Sequence, residues 1–118
     1  MTSGEKGQVG ISREVVMAIA GIAVSEIAGI ANLRSGDPVF RRGEGLRRHV
    51  ETEVEGEEVK VTVRITAVYG HPIRPLAVQV QRRVKMEIER MTGLRVSAVD
   101  VEVQHLVRGE EPAPEEIG

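Results

Sequence analysis

The chain has 118 residues, a formal net charge of −2 and 41% hydrophobic residues, which suits one domain with one modest core. It contains no cysteine, and this excludes disulfides, thiolate metal sites and a cysteine nucleophile. One Tyr and one Phe are its only aromatic residues, too few for the base-stacking platforms of sheet-based RNA-binding domains.

The charge is unevenly distributed along the chain. Four of the 18 acidic residues lie in residues 109–118, which hold no Lys or Arg, so the other 108 residues carry 16 bases against 14 acids. This acidic tail also has two prolines and one large apolar residue, a composition typical of disorder. We expect disordered ends at 1–6 and 109–118 around a single domain at 7–108.

The first predicted helix covers about residues 13–27 and follows Ser12, a good N-cap. Its apolar stripe at helical spacing consists of Val15, Ile19, Ile22 and Ala23. Met17 and Val24 lie on the opposite side, so the helix is apolar nearly all round. Such a helix is usually buried on more than one side, and we take Met17 and Val24 as candidate partner-binding residues.

A ridge of small residues on the same helix leaves two interpretations open. It consists of Ala18, Gly21, Ser25 and Ala28. It either packs against another helix of the same domain or forms a self-association face. Short strands are predicted on both sides of the helix, at "GQVGIS" (7–12) and "GIANL" (29–33).

A loop follows in the segment "RSGDPVFRRGEGLRR", residues 34–48. Its three glycines, one proline and five arginines predict a mobile connection. Arginine clusters can bind phosphates, so this loop contributes Arg41, Arg42, Arg47 and Arg48 as candidate anion- or RNA-binding residues.

Residues 49–69 alternate between apolar and polar side chains and predict a β-hairpin. A two-residue loop at Gly56-Glu57 has glycine at the first central position, as a type II′ turn requires. The resulting register pairs Val54 with Val59, Glu53 with Lys60, Thr52 with Val61 and Val50 with Val63. Apolar residues then share one face, while Glu53 and Lys60 meet on the other.

A second helix is predicted at about 73–92, ended by Gly93 in a left-handed conformation. Its expected buried stripe is Ile73, Ala77, Val80, Val84, Ile88 and Met91. A final strand follows, with Val99, Val101 and Val103 on one face. The order β-α-β-β-β-α-β predicts an α+β domain whose two helices pack on one face of a small mixed or antiparallel sheet.

The sequence offers little support for catalysis or metal binding. His49, His71 and His105 are far apart and have no second ligand at metal-binding spacing, so no metal site is predicted. His71 follows a strand, but no carboxylate lies nearby to orient it as a general base, so we expect a solvated turn residue. Tyr69 is expected to close the end of the sheet. No nucleotide-binding loop occurs, and no cofactor is predicted.

The second helix also carries a surface that its buried stripe does not use. Val78 and Met86 project among polar residues beside Arg82 and could seat a partner helix. Arg83 and Lys85 on the same helix, together with the arginine loop, favour the alternative of a small RNA-binding module.

Several short motifs, taken together, resemble the alkaline shock protein family of small bacterial stress-response and cell-envelope-associated proteins. The resemblance covers about residues 7–107. Its elements are Ile11-Ser12 with Glu14-Val15, Glu26 with Gly29-Ile30, Tyr69-Gly70 before Ile73, Val80-Gln81, Met91-Thr92-Gly93-Leu94, and Val99-Asp100-Val101.

The resemblance implies a non-enzymatic adaptor or regulatory protein. Members of this family are cytoplasmic and tend to self-associate, and some reach the membrane periphery through a separate anchor protein. Others resemble small companions of lipid-supply enzymes. We therefore expect a homo-oligomer that also binds a membrane-anchored protein or a lipid-supply enzyme. The family has no established catalytic residues to assign here.

Overall fold

A computed structural model describes residues 7–33 and 46–108. Helix α1 spans Arg13–Ser25, strand β1 Val50–Glu55, strand β2 Glu58–Val68, helix α2 Ile73–Thr92 and strand β3 Arg95–Val107. The sheet order is β1-β2-β3, with β1 antiparallel and β3 parallel to β2. Two helices and a three-stranded mixed sheet therefore form the predicted α+β domain.

The β1–β2 hairpin has the predicted register. Val54 pairs with Val59, and Val50 pairs with Val63. Gly56 has a φ of 62°, the positive value that the first central residue of this turn requires. Alternate side chains along β2 are buried, as the period of two in the sequence predicted.

The core lies between the helices and one face of the sheet. Its fully buried side chains include Val16, Val24, Leu33, Val50, Val59, Val61, Val63, Ile65, Val80, Val84 and Ile88. Branched aliphatic residues fill this layer, as expected from a chain with so few aromatic residues. Charged residues such as Lys60 and Glu102 lie on the uncovered face of the sheet.

The two short strands predicted at 7–12 and 29–33 take other forms. Residues 7–12 form no strand, because two glycines and a 90% exposed Val9 leave Ile11 as the one residue of the segment that packs against the core. The second segment makes a single bridge, between Ile30 and Ala67. Two residues further on, the Asn32 side chain accepts a hydrogen bond from Thr66 N at 2.8 Å. A side chain therefore binds the β2 backbone there, where a regular strand would use its own backbone.

The predicted buried stripe of each helix is partly wrong. In α1 the covered side is centred on Val16, Ala20 and Val24, and Val15 and Ile22 are about half exposed. In α2 the buried residues are Leu76, Val80, Val84 and Ile88. Ile73 and Met91 are exposed because they lie in the first and last turns, beyond the layer that the sheet covers.

The helix ends are set as predicted. Ser12 accepts a hydrogen bond from Val15 N through its side chain at 3.3 Å, and Gly93 ends α2 with a φ of 78°. The predicted disordered ends and positions 34–45 of the predicted loop lie outside the described residues. Leu46, near the end of that loop, is buried in the core.

Candidate functional site

The outer face of helix α2 carries an open groove of about 530 Å³. Its lining residues are Arg74, Pro75, Val78, Gln79, Arg82, Arg83 and Met86. Val78, Arg82 and Met86 recur at four-residue intervals, so they lie along one line of the helix. This line is opposite the stripe of Leu76, Val80, Val84 and Ile88 that enters the core.

The exposed apolar residues of this groove are the ones that the sequence selected. Val78 is 36% exposed and Met86 is 53% exposed. Two exposed residues are not unusual by themselves. Here they lie in one concavity together with three arginine side chains, so the groove combines an apolar floor with positive charge.

Arg83 belongs both to the groove and to the packing of the two helices. Its guanidinium pairs with Glu26, just after α1, and with Glu87 one turn further along α2. Its Nε is buried and has no hydrogen-bond partner among the described residues. Because the two carboxylates neutralise the charge of Arg83, the positive charge of the groove comes mainly from Arg74 and Arg82.

Met17 and Val24 are not surface residues, which corrects their assignment to a partner-binding face. Met17 is 4% exposed and Val24 is fully buried in the core. The helix packs against α2 and β1 in the same domain, and this packing covers the side that carries Met17 and Val24. The apolar side chains that α1 leaves half exposed are Val15 and Ile22.

The proposed arginine cluster is not brought together in the described structure. Arg41 and Arg42 lie outside the described residues. Arg47 pairs with Glu14 at 2.5 Å, and Lys85 pairs with Glu89 at 2.8 Å. Arg48 is exposed near the start of β1, whereas Arg83 and Lys85 lie on α2. Acidic partners thus neutralise much of the basic surface that the RNA-binding alternative needs.

The histidines occupy separate places. His49 Nδ1 lies 3.1 Å from Asn32 Nδ2, while the ring of His71 lies over Gly29. His105 is on β3. Among residues 7–33 and 46–108, no group of three or more His, Cys, Asp or Glu side chains is placed to hold a metal ion. Within the same ranges, no helix has the length and apolar character needed to cross a bilayer.

Side chains of α2 also cover part of the free edge of β3. Gln81 Nε2 donates to Val99 O at 3.0 Å, and Lys85 Nζ donates to Val96 O at 3.2 Å. Glu89 Oε2 accepts from Val96 N at 2.9 Å. Its hydrogen bond with Lys85, followed by that with Val96 N, holds the pKa of Glu89 below its usual range.

Sequence reasoning missed three positioning residues. Asn32 donates to Arg64 O at 3.1 Å and accepts from Thr66 N, which attaches the segment after α1 to β2. A side chain at Gly29 would meet the ring of His71 at 3.0 Å, so His71 packs on the backbone there. Gln81 was recognised only as part of a family motif. The one signal available in the sequence was the glycine at position 29, because glycine readily accepts the positive φ found there.

Comparisons with known proteins identify a family and several relatives. The model of the alkaline shock protein 23 family, described as having a cell envelope-related function, matches residues 1–108. The uncharacterized protein YloU of Bacillus subtilis is 33% identical over 104 residues, covering 83% of this chain and 87% of YloU. The uncharacterized protein Spy1535 of Streptococcus pyogenes is 26% identical, covering 98% and 91%.

A third relative has a descriptive name. The stress response regulator gls24 homolog of Streptococcus pyogenes is 28% identical over 109 residues, covering 87% of this chain. The match spans 60% of that relative's own length. These relatives are described as uncharacterized or as regulators rather than as enzymes.

Proposed function

The chain belongs to the alkaline shock protein 23 family, whose function is cell envelope-related, and we propose that it acts there as a non-enzymatic adaptor. In this proposal it self-associates and binds an envelope-linked or lipid-metabolism-linked protein through the groove of helix α2. It works in the cytoplasm and reaches the membrane periphery through that partner.

The observation that carries the proposal is the composition of the groove. Val78 and Met86 are exposed in one concavity, eight residues apart on a helix whose opposite side already fills the core. Contact with an amphipathic helix uses anchors at this kind of helical spacing. A partner helix would bury both side chains without any change in the core.

Charge indicates the chemistry of the partner segment. Arg74 lies one turn before Val78, Arg82 lies between Val78 and Met86, and both arginines are exposed. A segment with acidic residues beside its apolar anchors would be complementary, and charges at the rim of an interface raise the association rate and select the partner. The groove is therefore proposed to take an acidic amphipathic helix rather than a basic one.

The RNA-binding alternative has less support in the same surface. Arg83 and Lys85 are engaged by carboxylates of this chain. The exposed face of the sheet carries Glu51, Glu53, Asp100 and Glu102, which would repel phosphates. An RNA-retention experiment tests this alternative. RNA binding would be favoured if added salt released the unchanged chain from RNA and if the variant with Arg82, Arg83 and Lys85 all changed to Ala did not bind RNA.

Affinity capture from the host, including its membrane fraction, tests the proposal. The tagged chain is compared with Val78→Glu and Met86→Glu, which place a carboxylate in the groove. Val9→Glu is the matched control, because Val9 is exposed and lies outside the groove. Bound proteins are identified by mass spectrometry and then rebound in purified form.

The expected result is one envelope-linked or lipid-metabolism protein that binds the unchanged chain and Val9→Glu. The groove variants should bind it at least about tenfold more weakly, since a buried unpaired carboxylate costs well over 1.4 kcal/mol. Equal binding by all four proteins would show that the partner does not bind in the groove. Capture of only nucleic-acid-bound proteins would contradict the adaptor proposal.

A further inference from the structure

The longest strand of the sheet, β3, has one edge that the domain covers only in part. β3 pairs with β2 on one side and is the last strand of the sheet on the other. The side chains of α2 that reach its free edge bind Val96 and Val99. Within residues 7–33 and 46–108, no side chain of α2 is hydrogen-bonded to the β3 backbone beyond Val99.

The direction of the backbone groups beyond Val99 follows from two hydrogen bonds. Val99 O accepts from Gln81 and so points away from β2, whereas Val107 O accepts from Tyr69 N at 2.6 Å and so points toward the β2 side. Neighbouring residues of a regular strand direct these groups to opposite sides, but the β2–β3 register shifts between the pairs Ile65–Val103 and Thr66–His105, so Gln104 is an extra residue that interrupts the alternation in β3. Val101 and Leu106 therefore present their N–H and C=O groups outward, on an open edge.

Apolar side chains accompany this open edge. Leu106 is 52% exposed, and Val107 and Tyr69 are exposed beside it, around a surface concavity of about 360 Å³. An edge that offers unpaired backbone groups together with apolar side chains is a template for another strand. The acidic residues at Asp100 and Glu102 restrict which strand can pair there.

We propose that the occupant is β3 of a second copy, paired antiparallel about a two-fold axis between Val103 and Gln104. This interface gives a structural basis to the self-association in the proposed function and rests on it. The two sheets would join into one sheet of six strands. The groove of α2 is not part of the pairing, because its line of Val78, Arg82 and Met86 faces away from the sheet.

A contact between a carboxylate and a histidine favours this register. It places Glu102 opposite His105 of the other copy, on the face where β2 carries Arg64 and Thr66. Arg64 already pairs with Glu102 at 3.3 Å. Symmetry repeats the contact, so the axis brings together two pairs in which the Glu102 carboxylate can accept a hydrogen bond from the ring of His105.

Apolar complementarity agrees with the same register. Val101 faces Leu106 of the other copy, and both side chains lie on the helix-covered face, where they pair with Val63 and Ala67 within the domain. Both residues also direct their backbone groups outward, as a hydrogen-bonded antiparallel pair requires. A register centred on Glu102 would instead oppose two like charges, which is destabilising.

Engineered cysteines test the register directly because the chain has none of its own. Glu102→Cys and His105→Cys are prepared separately in the full chain, mixed and oxidised. Residues directly opposite in a non-hydrogen-bonded antiparallel pair are close enough for a disulfide. Identical positions in the two copies would be about 10 Å apart, beyond disulfide reach.

The mixture should form a covalent species of twice the chain mass, and each variant alone should not. Equal cross-linking in the separate variants and the mixture, or none in any of them, would overturn this register. Sedimentation of the unchanged chain at high micromolar concentration should show a dimer, and a monomer alone would overturn the interface.

A backbone substitution tests the edge itself. Leu106→Pro removes an outward N–H, while Leu106→Val keeps it, and proline is tolerated at an edge position of this kind. We expect Leu106→Pro to weaken dimerisation about tenfold or more, since symmetry removes two hydrogen bonds. A dimer of unchanged affinity would overturn the proposal.

The binding experiment with the groove variants distinguishes a failure of the edge interface from a failure of the adaptor proposal. If Leu106→Pro loses the dimer but still binds the groove-dependent partner, the edge interface and the adaptor proposal both stand. If the cysteines fail to cross-link while the groove variants lose the partner, only the edge interface falls. Loss of groove dependence with cross-linking intact would overturn the adaptor proposal alone.

Discussion

Gln81 Nε2 donates to Val99 O at 3.0 Å, and this bond marks where helix α2 stops covering the free edge of β3. On the N-terminal side of Val99 the edge is bound by Lys85 and Glu89. On the C-terminal side, no side chain of α2 is hydrogen-bonded to the backbone of β3 in the described part of the chain. The same helix thus closes one part of the sheet with its polar residues and carries the partner groove on its outer face.

Removing this bond should weaken the domain. Gln81→Ala leaves Val99 O without its donor, and we expect the free energy of unfolding to fall by about 0.5–1.5 kcal/mol. Gln81→Glu is the control: its carboxylate is of similar size but cannot donate at neutral pH, so it should be at least as destabilising. Urea titration measures both, and a variant as stable as the unchanged chain would show that the bond contributes nothing.

Asn32 should be more important than its exposure suggests. Its amide bonds Arg64 O and Thr66 N in the half-buried seam beside β2. Asn32→Ala leaves both groups unpaired and should cost about 1–3 kcal/mol. Asn32→Asp restores the acceptor for Thr66 N but not the donor for Arg64 O. We expect it to remain below the unchanged chain in thermal unfolding, and full recovery would contradict the proposed role of the donor.

Gly29 and Gly70 form a matched pair for testing the contact with His71. Both have positive φ, 100° and 106°, but only a side chain at Gly29 would meet the His71 ring. Gly70→Ala should show the cost of the backbone conformation, about 1–3 kcal/mol. Gly29→Ala should show that cost plus the displacement of His71, so its melting temperature should be lower. Equal melting temperatures would mean that His71 moves freely.

The pH dependence of stability should include a contribution from Glu89. Its pKa in the folded domain lies below the usual value of about 4.3, because Lys85 and Val96 N favour the carboxylate. The stabilisation is fully present above the unfolded pKa and is lost as pH falls through the folded pKa. Glu89→Gln should therefore flatten the loss of stability below about pH 4.3, measured by urea titration across pH. An identical pH profile would contradict this.

The same type of substitution should act very differently on the two helices. Met17→Glu places a charge in the core and should destabilise by more than about 3 kcal/mol, enough to unfold much of the protein. Val78→Glu lies on the surface, so its stability should change by no more than about 0.5 kcal/mol. Circular dichroism and thermal unfolding distinguish the two. A folded Met17→Glu variant would contradict the burial of the Met17 side of α1.

Local patterns in the sequence were sufficient for much of the fold. Alternation and a two-residue turn determined the register from Val50–Val63 to Val54–Val59, because slipping it by one residue would expose every buried valine. Gly93 predicted the end of α2 for an equally local reason. The exposed pair Val78 and Met86 was found because it departs from the helical stripe of the core.

Features that depend on tertiary packing were not predictable in this way. The two apolar sides of α1 could not show whether a partner or the same domain covers them, so Met17 and Val24 were assigned to the wrong surface. Asn32 and Gln81 act through backbone groups more than 15 residues away. Their roles leave no periodicity in the sequence, since any polar residue would fit the local pattern.

Photo-cross-linking in the living host tests the central claim, that the outer face of α2 binds an envelope-linked partner. The photoreactive residue p-benzoylphenylalanine replaces Met86 in the groove or, as a control, Lys60 on the exposed face of the sheet. We predict an adduct to an envelope-linked or lipid-metabolism protein from position 86 that is absent from position 60. Irradiation that gives no adduct from position 86, or the same adducts from both positions, would contradict the account.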